Sequence, residues 1–491
     1  MEGRLQDGNR RGSRASAASA SQLSRTRRLL VLAVCCLSLF IVGLDNTIVN
    51  VVLPAIRRDL GAGLSGLQWT IDAFTLVMAS LLMLGGSTAD RIGRRRVFQV
   101  GLVVFSLGSL LCGLAPGLGW LVAFRVVQAL GGCMLNPVAM SIITNTFTDP
   151  RERARAIGVW GGVIGISMAL GPVLGGALVD SVSWRAIFFI NVPVGIAAFV
   201  LAALLVPESR APRPRRVDPV GQLLVFTALA TLTYAIIEGP GTGWGTPEIV
   251  GLFGIAGAAV AGLLWYEPRR EQPLLELRFF RSVPFSGATL IAVSGFAALA
   301  GFLFLNTLYL QEVRGFSALR AGLYTLPMAA MTAVFAPLSG RLVAGRGPRL
   351  PLLVAGTAMT ASAVVLTQLT RHTSTGVLLC AYLIFGLGFG MLNAPITNTA
   401  VSGMPVAQAG LAAAIASTSR QVGQSLGVAV VGSALSTAMR GPLRTGFMGA
   451  GRVAWWIVAG CTAAVLVLGL VSTGPRARRT AARVAEGATI T

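Results

Sequence analysis

Apolar segments of about twenty residues recur along this 491-residue chain, and each is long enough to cross a bilayer as a helix. In hydrocarbon, every backbone N–H and C=O must find its partner inside the protein. Segments of this kind therefore fold as helices or as a closed barrel. The runs begin near 29–53, 69–89, 97–117 and 119–143, continue to 452–473, and predict about fourteen helices in all. Only 12% of the residues are charged and 54% are hydrophobic, whereas a soluble domain carries about 25% charged residues. The fold class expected is an all-α polytopic membrane protein. The first apolar run is too long for a signal-peptide core and lacks a clear cleavage site, so it reads as the first span.

The net charge of +22 is carried without a single lysine. A phosphate-binding loop of the Gly-x-x-x-x-Gly-Lys-Ser/Thr type cannot be built, so energy must come from an ion gradient or a partner subunit. The arginines do not form a nucleic-acid face; they sit in short loops between apolar runs. Alternate loops hold Arg91, Arg94, Arg95 and Arg96, then Arg151, Arg153 and Arg155, then Arg210, Arg213, Arg215 and Arg216, then Arg341, Arg346 and Arg349. The opposite loops hold far fewer. By the positive-inside rule both termini are expected in the cytoplasm of a bacterial cell, with the chain in the cytoplasmic membrane. The six cysteines all fall in apolar spans without metal-ligand spacing, and the one histidine, His372, reads as a solvated loop residue. No metal, cofactor or enzymatic site is expected.

The chain divides as follows: a polar tail over 1–28, a six-helix bundle over 29–206, two inserted helices with linkers over 207–283, a second six-helix bundle over 284–473, and a tail over 474–491. The two bundles carry an internal echo. Met134-Leu135-Asn136-Pro137 in span 4 returns as Met391-Leu392-Asn393-Ala394-Pro395 in span 12, and Gly86, Gly93 and Arg95 after span 2 return as Gly340, Gly347 and Arg349 after span 10. Repeats of this kind mark secondary transporters with a central site and alternating access.

Within that frame Asp45 is the costly residue. A carboxylate inside a span costs roughly 2.5–3.5 kcal/mol on insertion scales, so it needs a partner or a function. The loop after span 2, from Gly86 through Asp90, Arg91, Gly93 and Arg94 to Arg96, puts one carboxylate among four guanidiniums in a tight turn. In span 5, Gly161, Gly165, Met168, Pro172, Gly175 and Gly176 share one helical face, where small residues let a neighbouring helix approach closely.

The loop from Gly86 to Arg96 resembles the signature loop of the major facilitator superfamily. Several stretches are similar to its fourteen-span drug:proton antiporter branch. They are Leu44-Asp45-Asn46-Thr47-Ile48-Val49-Asn50 in span 1, Arg125-Val-Val-Gln128-Ala129 in span 4, Gly165 through Gly171-Pro172-Val-Leu-Gly175-Gly176 in span 5, Trp184-Arg185 through Asn191-Val-Pro193, and Arg420-Gln421-Val-Gly423. Ala129 replaces the usual glycine. The resemblance implies that Gly86, Asp90, Arg91, Gly93 and Arg94, with the span 5 glycines, gate the cytoplasmic side. It also implies that spans 1 and 4 line a central cavity. Counted at 1.5 Å per residue, Asp45 lies about 24 Å from the cytoplasmic start of span 1, Arg125 about 9 Å and Asp72 about 5 Å below the outer surface. Asp45 and Arg125 then face each other or a shared aqueous space, as a proton-coupling pair or as a static brace. Asp72 is a second proton candidate whose depth allows it to snorkel to the surface. Further cavity candidates are Gln128, Asn136, Asn393 and Arg420, the last a span arginine with no acidic residue on its own helix, which argues against dicationic substrates.

The function expected is proton-coupled export of hydrophobic drugs or antibiotics by a monomer in the lipid bilayer. The alternative is a dedicated transporter of one metabolite on the same scaffold. The repeat, the Asp45 motif and the absence of an appended soluble domain weigh against a sensor or a channel.

Overall fold

A computed structural model describes residues 24–211, 217–270, 272–402, 404 and 408–487. Among them every regular element is helical, and thirteen helices are long and apolar enough to cross a membrane. In chain order the helices are α1 (Arg25–Leu60), α2 (Leu64–Ile92), α3 (Arg94–Gly113), α4 (Leu118–Thr146), α5 (Pro150–Ser181) and α6 (Asn191–Leu205, entered through a turn at Ala186–Phe189). Next come α7 (Pro219–Thr242), α8 (Pro247–Tyr266), α9 (Val283–Leu308, prolonged by a π turn at Tyr309–Val313), α10 (Ala318–Arg346), α11 (Arg349–Leu366) and α12 (Thr375–Gly390, continued by Asn393–Val401). The series closes with α13 (Ala409–Ala438), α14 (Leu443–Ser472) and α15 (Pro475–Gly487). Helix α13 is as long as α14 but too polar to be counted with the thirteen, because Arg420, Gln421, Gln424 and several serines interrupt it.

Local sequence sets the helix starts. Asp149 accepts backbone N–H bonds from Arg151 and Glu152 at 2.9 Å, with Pro150 in the first turn of α5. Ser24 caps α1 by accepting from Arg27 N, so Arg25, Arg27 and Arg28 belong to the first helix rather than to the expected tail over 1–28. The rest of that tail, residues 1–23, lies outside the described residues, as does the linker stretch 212–216. After α14, helix α15 docks on the start of α9, where Thr480 Oγ1 accepts from Val283 N at 3.0 Å.

Helix pairing repeats between the halves. Helix α1 packs on α5 and α6, α2 on α4, and α3 on α4 and α6; likewise α9 packs on α13 and α14, α10 on α12, and α11 on α12 and α14. The halves meet along two crossed contacts, α5 on α10 and α2 on α13, which exchange with each other under the repeat. The inserted helix α7 touches both α2 and α13 and spans that seam from outside, where Trp69 Nε1 of α2 donates to Glu238 Oε1 of α7 at 2.7 Å.

The two halves close at one end of the bundle. There Gln68 of α2 donates to the backbone oxygens of Val428 and Ala429, Gln311 donates to Val51 O at 2.7 Å, Asp180 accepts from the N–H groups of Ala318 and Leu319, and Arg57 pairs with Glu312 at 3.5 Å. A large apolar cluster runs across this end, from Ile48 and Leu53 of α1 to Phe302, Phe385 and Trp455 of the second half. At the other end α5 and α10 part: Gly158, Gly161, Gly162 and Gly165 of α5, and Gly340 and Gly345 of α10, have nothing within 4 Å of where a Cβ would stand. Arg25 and Ser472, the two ends of the spanning bundle, both lie at this parted end.

Candidate transport site

Asp45 lies on the closed-end half of α1 and is wholly buried, as is Arg125 of α4 at 1% exposure. Arg125 Nη1 stands 2.5 Å from Asp45 Oδ2 and 2.8 Å from Gln128 Oε1, and its Nε donates to Thr70 O at 3.1 Å. The guanidinium also stacks over the Phe74 ring at 4.4 Å, which adds a cation–π contact out of water. Asp45 Oδ1 accepts from Gln128 Nε2 at 2.9 Å and from Asn191 Nδ2 at 3.4 Å. Both amides donate in turn to Ser109 Oγ, which passes its own hydrogen to Phe188 O at 2.9 Å. Five helical segments thus supply one closed network around a buried charge pair. Such a pair is tolerated where the remaining lone pairs and protons are satisfied, as they are here for Asp45.

The pair anticipated from depth is therefore formed, and Gln128 belongs to it rather than to an open cavity wall. Asp72 does not snorkel. It is 0% exposed on the face of α2 that meets α13, with Thr75 Oγ1 donating to its Oδ1 at 3.1 Å, Ser425 of α13 beside it, and Oδ2 without a partner. Its nearness to the end of the helix is irrelevant because the second half of the molecule covers it. Phe74, Phe304 and Tyr382 are packed in the core with 0% exposure.

The turn between α2 and α3 holds Asp90 to Arg94 by two bonds of 3.1 and 2.9 Å. Gly93 is the residue that makes the turn: its φ is +129°, and a Cβ there would meet Glu208 Oε1 at 2.6 Å. Glu208, which follows α6, accepts from Arg95 N at 3.1 Å and lies 3.7 Å from Arg96 Nε, so an acidic residue from elsewhere completes this basic loop. Gly86 lies inside α2, not in the turn, and has ordinary van der Waals room; its neighbour Gly85 makes the close approach, to the backbone of Cys133 in α4.

The small residues of α5 separate into two groups. A Cβ at Gly171 would collide with Thr47 Oγ1 of α1, one at Gly175 would sit 2.6 Å from Ile48 Cγ1, and one at Gly176 would sit 2.5 Å from Ala318 O of α10. Gly322 of α10 in turn leaves room only for Pro172 O. Gly171, Pro172, Gly175 and Gly176 therefore hold the closed end, remote from Asp90, while Gly165 opens onto the parted end. The close packing expected along the whole stripe is present in its second half only.

In the second half the repeat is chemically silent where the first is charged. Arg125 and Tyr382 are separated by the same number of residues as Asn136 and Asn393. Tyr382 hydroxyl donates to Asn306 Oδ1 of α9, so a neutral pair stands at the second-half counterpart of Arg125, while the counterpart of Asp45 by the same spacing is Phe302. Asn136 and Asn393 are half-buried and outside both pairs, and Asn136 Oδ1 has no partner. Arg420, on α13, donates from Nη2 to Thr397 Oγ1 at 2.6 Å, lies 6.0 Å from the Phe296 ring, and leaves Nε unpartnered.

Residues 35–428 match the Major Facilitator Superfamily. The chain belongs to this superfamily. It is 38% identical over 414 residues to the multidrug resistance protein Stp of Mycobacterium tuberculosis, covering 84% of this chain and 77% of that one. It is 38% identical over 405 residues to the tetracenomycin C resistance and export protein of Streptomyces glaucescens, with 82% and 74% covered. The multidrug efflux pump LfrA of Mycolicibacterium smegmatis is 34% identical over 423 residues, with 84% and 82% covered. Among solved structures, a bacterial homologue of the human lysosomal transporter Spinster, inward-facing and unoccupied, superposes with a TM-score of 0.62 at 20% identity, over 95% of this chain and 99% of that one. The protein is thus a multi-pass cell-membrane transporter with the major-facilitator fold.

Ser109, Asn191 and Glu208 were not singled out by sequence. Asn191 lay within a quoted motif, but its role follows only from the approach of α6 to α1. A lone serine in α3 carries no distinguishing signal. In this superfamily member the charged centre is a property of five segments at once.

Proposed function

We propose that this transporter exports hydrophobic drugs or antibiotics in exchange for protons, by alternating access, through fourteen spans with both termini in the cytoplasm. The names of several relatives at 33–38% identity, which are resistance or efflux proteins, support drug export. The arginine-rich loops at the parted end support a cytoplasmic opening. The observation that carries the coupling step is the buried Asp45–Arg125 pair, the one ion pair wholly enclosed among the described residues.

Protonation of Asp45 removes one charge of that pair. Arg125 keeps Gln128 Oε1 and Thr70 O, but its Coulomb partner becomes a neutral acid, so the cost of an enclosed cation falls on the conformation that encloses it. A state that wets Arg125 is then favoured, and loss of the proton to the other side restores the pair. Asp90, Arg91, Gly93 and Arg94 brace the cytoplasmic rim, and Gly171, Pro172, Gly175 and Gly176 let α5 and α10 close the outer rim. Asp72 serves as a second protonatable group at the α2–α13 seam.

In everted vesicles with a preformed pH gradient, an exported drug should dissipate the gradient through the wild-type protein. Asp45→Asn, compared at equal amount in the membrane, should leave the gradient untouched. Gradient dissipation by Asp45→Asn at the wild-type rate would exclude the coupling role, and no response to a broad drug panel would favour a single dedicated substrate.

A further inference from the structure

Two arginines lie deep within the spans, and their surroundings differ. Arg125 gives its donors to Asp45, Gln128 and Thr70. Among the described residues Arg420 makes one hydrogen bond, from Nη2 to a threonine hydroxyl, and its buried Nε has no partner. Among the described residues no carboxylate lies within ion-pair distance of it. An arginine within a span is costly, and a guanidinium has five donors in a fork that matches a carboxylate.

Arg420 precedes Ser425, the residue of α13 beside Asp72, by more than one helical turn toward the parted end. Thr397 and Asn398 of the α12 continuation are exposed there, within the bundle rather than on a loop. Phe296 of α9, 8% exposed at the edge of the core, lies 6.0 Å from the guanidinium and meets Phe389 edge-on at 5.3 Å. Gln424, one turn along the same face of α13, has a buried Oε1 without a partner.

We infer that Arg420, with Gln424, Thr397 and Phe296, forms a substrate subsite for a flat conjugated molecule bearing an anionic oxygen group, such as a carboxylate or phenolate. The inference rests on the drug-export reading, since it assigns a substrate class to that exporter. Arg420 supplies charge and hydrogen bonds, Gln424 and Thr397 orient the polar edge, and Phe296 stacks on the ring system. It also separates labour between the halves: the proton pair sits in the first, and the substrate charge is read in the second.

Fluorescein and rhodamine 123 share a xanthene ring and differ in charge, so they test this directly. Their binding to the detergent-solubilised full chain is measured by fluorescence anisotropy with no pH gradient. The wild type should prefer fluorescein by about tenfold, Arg420→Gln should weaken fluorescein by about tenfold with rhodamine 123 within about twofold, and Arg420→Lys should fall between. On the wild type alone, anthraquinone-2-carboxylate should displace fluorescein and the corresponding amide should not. Equal affinity for the two dyes, displacement by the amide as well as by the acid, or fluorescein binding unchanged in a folded Arg420→Gln protein would each overturn the inference. Because no gradient is used, these results do not depend on whether export is proton-driven.

Discussion

Arg125→Gln leaves Asp45 buried without its counter-charge, a change that costs about 3–5 kcal/mol when one member of an enclosed pair is removed. Asp45→Asn combined with Arg125→Gln replaces the pair by two neutral amides, and should recover part of that loss. Thermal unfolding of the purified proteins checks this, and losses that simply add would mean that the two charges do not compensate each other. Both residues were legible in the sequence because a charge in an apolar run declares itself through its cost. Ser109 and Asn191 were not, since small polar side chains are common in spans and acquire a role only from what they face. The same limit explains Asp72, whose depth suggested a wet surface until α13 was seen to cover it.

Helix α5 uses one stripe of small residues unevenly. Its second half is locked into α1 and α10, and its first half is bare. Gly176→Leu should drive α5 off Ala318 at an overpacking cost of about 1–3 kcal/mol and depopulate the closed outer end. Maleimide labelling of Gly161→Cys reports this. The label should react readily in the otherwise native protein and more slowly once Gly176→Leu is added, because under the proposed alternating access closure of one end accompanies opening of the other. The helical period revealed the stripe; it did not reveal which neighbour each part meets. A similar one-residue ambiguity separates Gly86, named by its motif, from Gly85, which makes the close contact.

For the molecule as a whole, the orientation proposed here is open to reporter fusions: alkaline phosphatase joined after residue 62 should be active and joined after residue 211 inactive. The reverse pattern would invert the membrane topology and place the parted end outside. Helix α7 lies across the α2–α13 seam, so Glu238→Gln, which weakens its bond to Trp69, should alter transport rate more than fold stability. The helical type and approximate placement of the apolar elements follow from the chain alone, because in hydrocarbon each helix satisfies its own backbone within four residues. The partners of Asp45 do not follow from it. Asn191 is 146 positions away and Arg125 80, and only the packing of α1 against α4 and α6 brings their side chains to one point. Local hydrogen bonding makes helices readable one at a time; a charge network depends on contacts between helices, which tertiary packing alone selects.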